Sequence, residues 1–238
     1  MVNSQTRSKS PDRLAHKPVG GAGETPADRS KLPQLKIGPC SRKAAKYAVE
    51  NWHYSKTLPA SGLFLIGVWE ADSFIGCIIF SRGANNNMGK RIGLPDPRHC
   101  VELTRVALTS HQHTVTHILK ASFQELRKHN PGIRAVMSYA DPQQGHHGGI
   151  YQAGGWTYIG RAGAIPSYYI NGQKTHPKTI ASKYGTNSLS KIKAMGVNIQ
   201  RVKAEPKHTY AIGFDRQMKN RLKKMGQHIP APKPYNPH

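Results

Sequence analysis

The sequence predicts an α/β fold in which one mixed central sheet is flanked by helices. Two apolar runs, 63–69 and 74–80, are rich in β-branched and aromatic residues, and a four-residue polar link between them predicts an antiparallel hairpin. A long amphipathic helical pattern then separates two further strands, at 101–108 and 133–140. A helical crossover of this length implies that those two strands are parallel, so the sheet should contain both strand directions.

The other elements follow from shorter patterns. Ser41 is a typical N-cap residue, and the apolar positions Ala45, Ala48 and Val49 after it predict a first helix that reaches Trp52. The remaining patterns predict a loop at 83–98, a helical turn at 150–153, strands at 156–160, 168–170 and 208–214, and a helical region at 179–195.

The ends of the chain differ in composition from its middle. Residues 1–36 are rich in Ser, Pro, Gly, Lys and Arg and nearly lack large apolar groups, which predicts a disordered basic arm. Residues 37–224 form the predicted domain. Residues 225–238 are Pro-rich, which predicts an extended tail.

Positive charge is the strongest compositional signal. The 238 residues include 35 Lys and Arg against 12 Asp and Glu, for a formal net charge of +23. Such an excess repels itself unless an anion offsets it, and it favours phosphate contacts, so we expect a nucleic acid as a partner. The alternative is a chain that is merely kept soluble by its charge.

Three cysteines, Cys40, Cys77 and Cys100, form no Cys-x-x-Cys pair, which argues against a structural zinc site and a disulfide scaffold. A reducing, cytoplasmic setting is expected. No run of about 18 apolar residues predicts a membrane span, and the start of the chain lacks the apolar stretch of a secretory signal.

Five short motifs occur in a fixed order. They are Trp-His-Tyr-Ser at 52–55, Leu-Ile-Gly-Val-Trp at 65–69, Glu-Leu-Thr-Arg-Val-Ala at 102–107, Ser-Tyr-Ala-Asp at 138–141 and Gly-Ile-Tyr-Gln-Ala at 149–153. Together, across about residues 45–165, they resemble the Mom family of phage DNA-modification proteins.

The resemblance implies a single acetyltransferase-like (GNAT-like) domain, in which two central parallel strands splay apart to hold a donor. It implies transfer of a carbamoylmethyl group to the exocyclic amine of adenine in DNA, which protects phage DNA from restriction in the host cytoplasm. It also implies acetyl-CoA or a related donor, and a bound iron.

The candidate catalytic residues lie in or beside these motifs: His53, Tyr54, Asp141 and Tyr151. An acid at the carboxyl end of a parallel strand lies where ligands bind, so Asp141 is a candidate base or metal ligand. The alternative is a turn cap, because Asp-Pro is common in turns. His53 and Tyr54 would suit iron together with Asp141 by ligand type, against the alternative of a packed pair.

A donor site is predicted where the long helix begins. Acetyltransferases carry a Gln/Arg-x-x-Gly-x-Gly/Ala loop at this point, and this chain has no glycine between Thr109 and Thr114. The hydroxyls of Ser110, Thr114 and Thr116 could replace the loop amides, and Arg105 could hold an anionic group. The departure argues against conventional coenzyme A binding.

DNA contacts are predicted near the first motif and in the basic segment that follows 208–214. The resemblance implies double-stranded DNA as the substrate, and an enzyme that acts on adenine there must flip and stack the base. The candidates for stacking are aromatic residues near the motifs, with packing as the alternative: Trp52, Tyr54, Tyr139, Tyr151 and Trp156. Lys56 is a candidate DNA contact. The basic segment supplies candidate phosphate contacts, with a solvated face as the alternative: Arg216, Lys219, Arg221, Lys223 and Lys224.

Other functions remain open at this stage. An adenine methyltransferase would need Asp-Pro-Pro-Tyr, which Gln143 and Gln144 interrupt, and a zinc deaminase would need Pro-Cys-x-x-Cys, which is missing. The alternatives are a non-catalytic DNA-binding protein and an acetyltransferase with another amine acceptor. A monomer or a homodimer is expected.

Overall fold

The computed structural model describes residues 32–59, 62–83, 87–163, 166–175, 177–203 and 205–233. Their strands form a seven-stranded mixed sheet and a separate three-stranded sheet. The strands are β1 (Leu35–Pro39), β2 (Leu63–Glu70), β3 (Ser73–Ser81), β4 (Cys100–Leu108), β5 (Ala135–Ala140), β6 (Thr157–Arg161), β7 (Ser167–Ile170), β8 (Gln173–Thr175), β9 (Ile199–Val202) and β10 (His208–Gly213).

The described residues also form six α-helices, the last of which follows β10. They are α1 (Arg42–Trp52), α2 (Val115–His129), α3 (Gly149–Ala153), α4 (Pro177–Tyr184), α5 (Leu189–Ala194) and α6 (Arg216–Gly226). Single 3-10 turns lie at Met88–Ile92, Pro97–His99 and Pro142–Gln144. The predicted cap of α1 is confirmed, since the Ser41 hydroxyl accepts a hydrogen bond from the Ala44 amide at 3.2 Å.

The central feature of the large sheet is a fork between its two parallel strands. The strand order is β1-β2-β3-β4-β5-β10-β6, and only β4 and β5 run parallel. They pair over three positions at their amino ends, the last of which joins Glu102 to Met137. Beyond that position the ladder between them stops. The predicted parallel pair and its acetyltransferase-like splay are therefore confirmed.

Helices cover both faces of this sheet. On one face α2 buries Ile118, Leu119 and Leu126 against apolar side chains of β2, β3 and β5. On the other face, α1 packs on β3 and β4, and α6 packs on β5 and β10 through Met218 and Leu222. Each fully buried aliphatic side chain contributes about 1.5–3 kcal/mol, so this two-sided burial fixes the position of the fork.

The hairpin of β2 and β3, strand β4 and helix α2 confirm the sequence prediction. Strand β1 was not predicted, and it begins at Leu35, within the stretch assigned to the basic arm. The helical region predicted at 179–195 is two helices, because the chain turns at Gly185 with a φ of +68°. Strands β8 and β9 were also missed. Of the predicted arm, residues 1–31 lie outside the described residues.

Residues 166–203 form a small unit between β6 and β10, which we call the insert. Its sheet has the order β8-β7-β9, and its own apolar cluster includes the buried Ile180, Ile192 and Ile199. Across the described part of the chain, the helices are too short or too polar to pass through a lipid bilayer.

Candidate active site

The fork gathers polar side chains from both faces of the large sheet. Ser138 on β5 is buried, and its Oγ lies 2.9 Å from the Leu103 carbonyl oxygen on β4, so it bridges the strands where their ladder ends. The same Oγ lies 2.8 Å from the Tyr151 hydroxyl, which α3 supplies. Burial raises the pKa of Tyr151 to about 12. The Tyr151 phenol therefore keeps its proton at neutral pH and is held at the point of splay.

A β-bulge places Glu102 and Arg105 on the same side of β4. Ile79 pairs with Arg105 and Phe80 pairs with Leu103, so no residue of β3 stands in register with Thr104 and the strand alternation shifts by one residue. That side is the one covered by α1 and α6, since Glu102 stands in register with Met137. The carboxylate and the guanidinium, three positions apart, are thereby brought into one electrostatic cluster.

Glu102 is the least satisfied group of this cluster. Its carboxylate accepts no hydrogen bond from any residue in the described ranges, and a Cβ added to Gly83 would lie 3.0 Å from its Oε2. Burial raises the pKa of the Glu102 carboxyl, and the positive charges of Arg105 and Lys207 oppose that rise. A half-buried carboxylate whose pKa is raised by burial is well suited to accept a proton.

Arg105 lies at the opening of the fork. Its guanidinium donates hydrogen bonds to the backbone carbonyls of Thr104, at 2.7 Å, and Thr57, at 3.3 and 3.4 Å. Burial lowers the pKa of Arg105, whereas Tyr54 and Glu102 raise it. Among the described residues Arg105 forms no ion pair with an acid, so its charge remains available to an anion.

His53 follows α1 and is buried, with 8% of its surface exposed. Its Nδ1 accepts a hydrogen bond from the Ser55 amide at 3.1 Å and lies 2.9 Å from the Ser55 hydroxyl. Burial lowers the pKa of His53 to about 4, and the charges of Arg105, His146 and Lys56 add to that effect. His53 is therefore neutral at pH 7, and because Nδ1 is an acceptor, Nε2 carries the proton.

Tyr54 is the exposed aromatic residue at this site, with 50% of its surface accessible. Its ring centroid lies 4.4 Å from that of His53 and 5.1 Å from that of His146, which it meets edge-on. Trp52, another of the predicted stacking candidates, packs instead beside Phe74 in the apolar cluster under α1. Tyr54 is thus the flat surface that the structure offers to a planar ligand.

Asp141 has the contacts of a turn cap and an ion pair. Its Oδ1 accepts a hydrogen bond from the Gln143 amide at 3.1 Å, and its Oδ2 lies 3.0 Å from Lys207 Nζ. Its backbone carbonyl accepts the His146 amide at 3.1 Å. Asp141 therefore shapes the segment that carries His146 toward Tyr54. The capping alternative is thus observed, and the predicted direct catalytic role stays a prediction.

The histidine segment that follows Asp141 is anchored at its far end too. The Tyr210 hydroxyl donates to the His147 carbonyl at 2.6 Å. Gly148 has a φ of +90°, and a Cβ there would lie 2.2 Å from the Tyr210 ring, so only glycine allows this approach. His147 Nδ1 is buried without a hydrogen-bond partner among the described residues. These contacts hold His146 and His147 in place beside the fork.

The predicted iron ligands do not form a suitable metal site. A histidine that binds a metal donates its second ring N–H to an acceptor, whereas His53 Nδ1 receives an N–H and leaves Nε2 protonated. Both Asp141 oxygens are engaged. The described residues also contain no group of three or more His, Cys, Asp or Glu that could hold a metal. We therefore derive no chemistry from iron.

The predicted donor site at the start of α2 is filled by the protein itself. The buried Glu70 carboxylate accepts hydrogen bonds from the amides of Gln112, at 2.8 and 3.0 Å, and His113, at 2.7 Å. Thr114 caps the helix by accepting the His117 amide, and its hydroxyl lies 3.1 Å from that of Thr116. A coenzyme pyrophosphate would be repelled by the Glu70 carboxylate, which already occupies these amides. The residues therefore do not fit the usual binding site for coenzyme A.

Most of the predicted DNA-contact residues are exposed. Lys56 is exposed, and its Nζ donates to the Asn51 carbonyl at the end of α1 at 3.0 Å. Arg221 differs, because its guanidinium donates a hydrogen bond to the Gly93 carbonyl at 2.6 Å. This bond connects α6 to the 3-10 turn Met88–Ile92, which ends just before Gly93. The remaining basic residues of α6 are exposed: Arg216, Lys219, Lys223 and Lys224.

Sequence reasoning missed the roles of four residues. Glu102 was placed only as a strand residue, since a bulge leaves no clear trace in a sequence. Ser138 lay inside a matched motif, which was the one available signal. Lys207 and Glu70 act on partners 66 and 42–43 positions away, and no local pattern shows such pairs.

Comparisons with known proteins agree with these observations. Methylcarbamoylase mom of Escherichia phage Mu is 26% identical over 154 residues, which is 62% of this chain and 62% of that protein, a little under two thirds of its length. An acetyltransferase from Thermus thermophilus overlaps 77% of this chain and 99% of its own, at 10% identity and a TM-score of 0.40.

A probable acetyltransferase of the GNAT family from Chromobacterium violaceum overlaps 88% of this chain and 97% of its own, at 13% identity and a TM-score of 0.37. These scores are low, and the fold assignment rests on the sheet topology. The model of the Mom protein family matches residues 34–233, which include the whole fork and helix α6. The chain belongs to the Mom protein family.

Proposed function

We propose that this protein transfers a carbamoylmethyl group to the exocyclic amine of adenine in double-stranded DNA. The observation that carries the proposal is the fork: β4 and β5 separate beside Tyr151, which contacts Ser138, and beside Glu102 and Arg105, which lie on the other side of β4. Family membership and the formal charge of +23 support DNA as the substrate. In a phage-infected cell the modified bases would shield DNA from restriction enzymes in the host cytoplasm.

The acceptor amine needs a base, because its lone pair is delocalised into the adenine ring. Glu102 accepts the amine proton as the nitrogen forms its bond to the methylene carbon of the donor. The bond between that carbon and the leaving group breaks, and the Tyr151 hydroxyl gives the leaving group a proton. Arg105 stabilises negative charge that develops on the donor.

Adenine reaches this site only after it leaves the base stack. Tyr54 offers half of its ring to solvent and stands edge-on to His146, so it can stack the extruded base. The neutral His53 donates from Nε2, which suits a ring nitrogen of adenine. Asp141 and Lys207 act as positioning residues, since they fix the segment that carries His146.

The donor is an activated carbamoylmethyl compound that enters the fork. Acetyl-CoA carries an acetyl group and would need an added nitrogen before it could supply carbamoylmethyl. Glu70 occupies the amides that would hold its pyrophosphate. A donor without a pyrophosphate fits the fork better than conventional coenzyme A does.

The test is expression in cells followed by digestion of plasmid DNA to nucleosides and mass spectrometry. We expect a new deoxyadenosine species heavier by about 57 daltons, which Tyr151→Phe reduces. Tyr47→Phe is the matched control, because it removes an exposed phenol on α1 and leaves the Tyr151–Ser138 contact intact. Soluble, folded protein that leaves DNA unmodified while acetylating another amine would replace this proposal with the acetyltransferase alternative.

A further inference from the structure

The insert has an unusual charge distribution. From Pro142 to Ala204 the sequence contains no Asp or Glu. The insert contains seven Lys and Arg, of which Lys183, Lys191, Lys193, Arg201 and Lys203 are exposed. A unit with only positive charge attracts a polyanion, and no acid within it offsets that charge.

The sheet of the insert has one covered face. On β7, Tyr168 and Ile170 pack with the isoleucine cluster that α4 and α5 complete. Strand alternation turns Tyr169 to the other face, where it stands opposite the exposed Gln200 on β9. DNA-binding proteins that read with β-ribbons or sheets place strands of this kind in a groove of the duplex.

The insert leaves and rejoins the large sheet beside the candidate active site. It follows β6, which ends at Arg161, and precedes β10, where His208 pairs with both Arg161 and Ala140. Ala140 ends β5, so the stem of the insert lies at the same end of the sheet as the fork. Lys207, directly before β10, forms the ion pair with Asp141.

We propose that the insert is a duplex-DNA-binding module that holds the DNA flanking the target adenine. Its cations contact phosphates, and the open face of its sheet lies against a groove. An enzyme that extrudes one base must grip the duplex on at least one side of it, and the position of the insert meets that need. The duplex assignment rests on the proposed function, because adenine in duplex DNA is the substrate named there.

The test compares two triple variants of the full-length protein by fluorescence anisotropy with a labelled 20-base-pair duplex over a range of salt concentrations. The first is Lys191→Gln, Lys193→Gln and Lys203→Gln in the insert. The control is Lys36→Gln, Lys120→Gln and Lys128→Gln on β1 and α2, which removes the same charge from exposed sites. Circular dichroism and thermal unfolding establish that both variants are folded.

We expect the insert variant to lose about 10-fold or more in affinity, and its slope of log affinity against log salt to decrease by about 3. The control should stay close to the wild-type protein. Equal losses in the two variants, or no loss in the insert variant, would overturn the inference. So would a single-stranded RNA of the same sequence that competes as well as the duplex.

These outcomes are separable from failure of the proposed function. If the wild-type protein makes no modified adenosine but the insert variant loses DNA affinity relative to the control variant, the proposed function is contradicted and the insert remains a DNA-binding module. If the wild-type protein modifies DNA normally but the insert variant keeps its DNA affinity, the proposed function stands and the inference about the insert is contradicted.

Discussion

Two polar regions flank strand β4, and they differ in how their charges are satisfied. At the start of α2 the buried Glu70 carboxylate accepts three hydrogen-bond contacts from two backbone amides. At the fork the Glu102 carboxylate receives none from the described residues, although burial raises its pKa. Glu70 is buried with its donors in place, which stabilises the fold, whereas Glu102 is half-buried and its carboxylate has no hydrogen-bond donor among the described residues. The difference assigns a structural role to Glu70 and a chemical role to Glu102.

The substitution Glu102→Gln should have the largest effect, and we expect it on DNA modification rather than on stability. We expect DNA modification to fall by about 100-fold or more, because a proton acceptor is removed. The free energy of unfolding should stay the same or rise, since a carboxyl whose pKa is raised by burial is easier to bury as a neutral amide. Nucleoside mass spectrometry and urea unfolding measure the two effects. Glu50→Gln, an exposed site on α1, is the control.

Replacement of Glu70 by Gln should show the opposite pattern. The amide offers one acceptor oxygen and turns an N–H toward the second backbone amide, so the free energy of unfolding should fall by about 2 kcal/mol. Modification per folded molecule should remain near the wild-type level. Urea unfolding with a parallel activity assay checks this, and a loss of activity without a loss of stability would contradict the structural role.

His53, a buried histidine beside the fork, should make the stability of the protein depend on pH. Its pKa is lowered to about 4 in the folded state, against 6.5 in the unfolded chain, so the unfolded state binds the proton first. Its contribution to stability is complete above pH 6.5 and is lost as the pH falls toward 4. We expect a loss of about 2 kcal/mol between pH 7.5 and 5 from this group.

The variant His53→Gln should reduce the dependence of stability on pH over that range. Urea unfolding at pH 7.5 and 5 measures the dependence, with His129→Gln, an exposed histidine near the end of α2, as the control. Equal pH dependence in the wild-type protein and His53→Gln would contradict the neutral, buried state of this histidine.

The smallest expected effects concern α6, where an exposed cation should affect DNA binding and a hydrogen-bonded cation should affect stability. Lys223 is exposed, and Lys223→Gln should lower the slope of log DNA affinity against log salt by about 1 with no change in stability. Arg221 binds the Gly93 carbonyl, so Arg221→Gln should lower the free energy of unfolding by about 1 kcal/mol. Salt titrations of DNA binding and urea unfolding of both variants test this, and a reversal of the two effects would contradict it.

Long, periodic elements could be predicted from the sequence. The hairpin of β2 and β3, the helix α2 and the parallel relation of β4 to β5 follow from apolar spacing and crossover length. Strand β1 could not be predicted, because its five residues include Gly38 and Pro39 and lie beside a basic, Pro-rich stretch. An edge strand tolerates such residues, so its composition carries little signal.

The candidate site was predicted in part. Motif matches led to His53, Tyr54, Arg105 and Tyr151, which the fold brings near the fork. Glu102 was missed because its side of the strand depends on the bulge at Thr104. Glu70 was assigned to a polar turn, yet it is buried because its amide partners lie in a distant loop. Long-range pairs of this kind arise only when the chain is folded.

The most direct test of the account is the modified fraction of deoxyadenosine in plasmid DNA from cells that express Glu102→Gln or Glu70→Gln, each normalised to soluble protein. We expect Glu70→Gln to retain modification close to the wild-type level and Glu102→Gln to lower the modified fraction by about 100-fold. Full modification by soluble Glu102→Gln protein would contradict the claim that the fork carries the transfer chemistry.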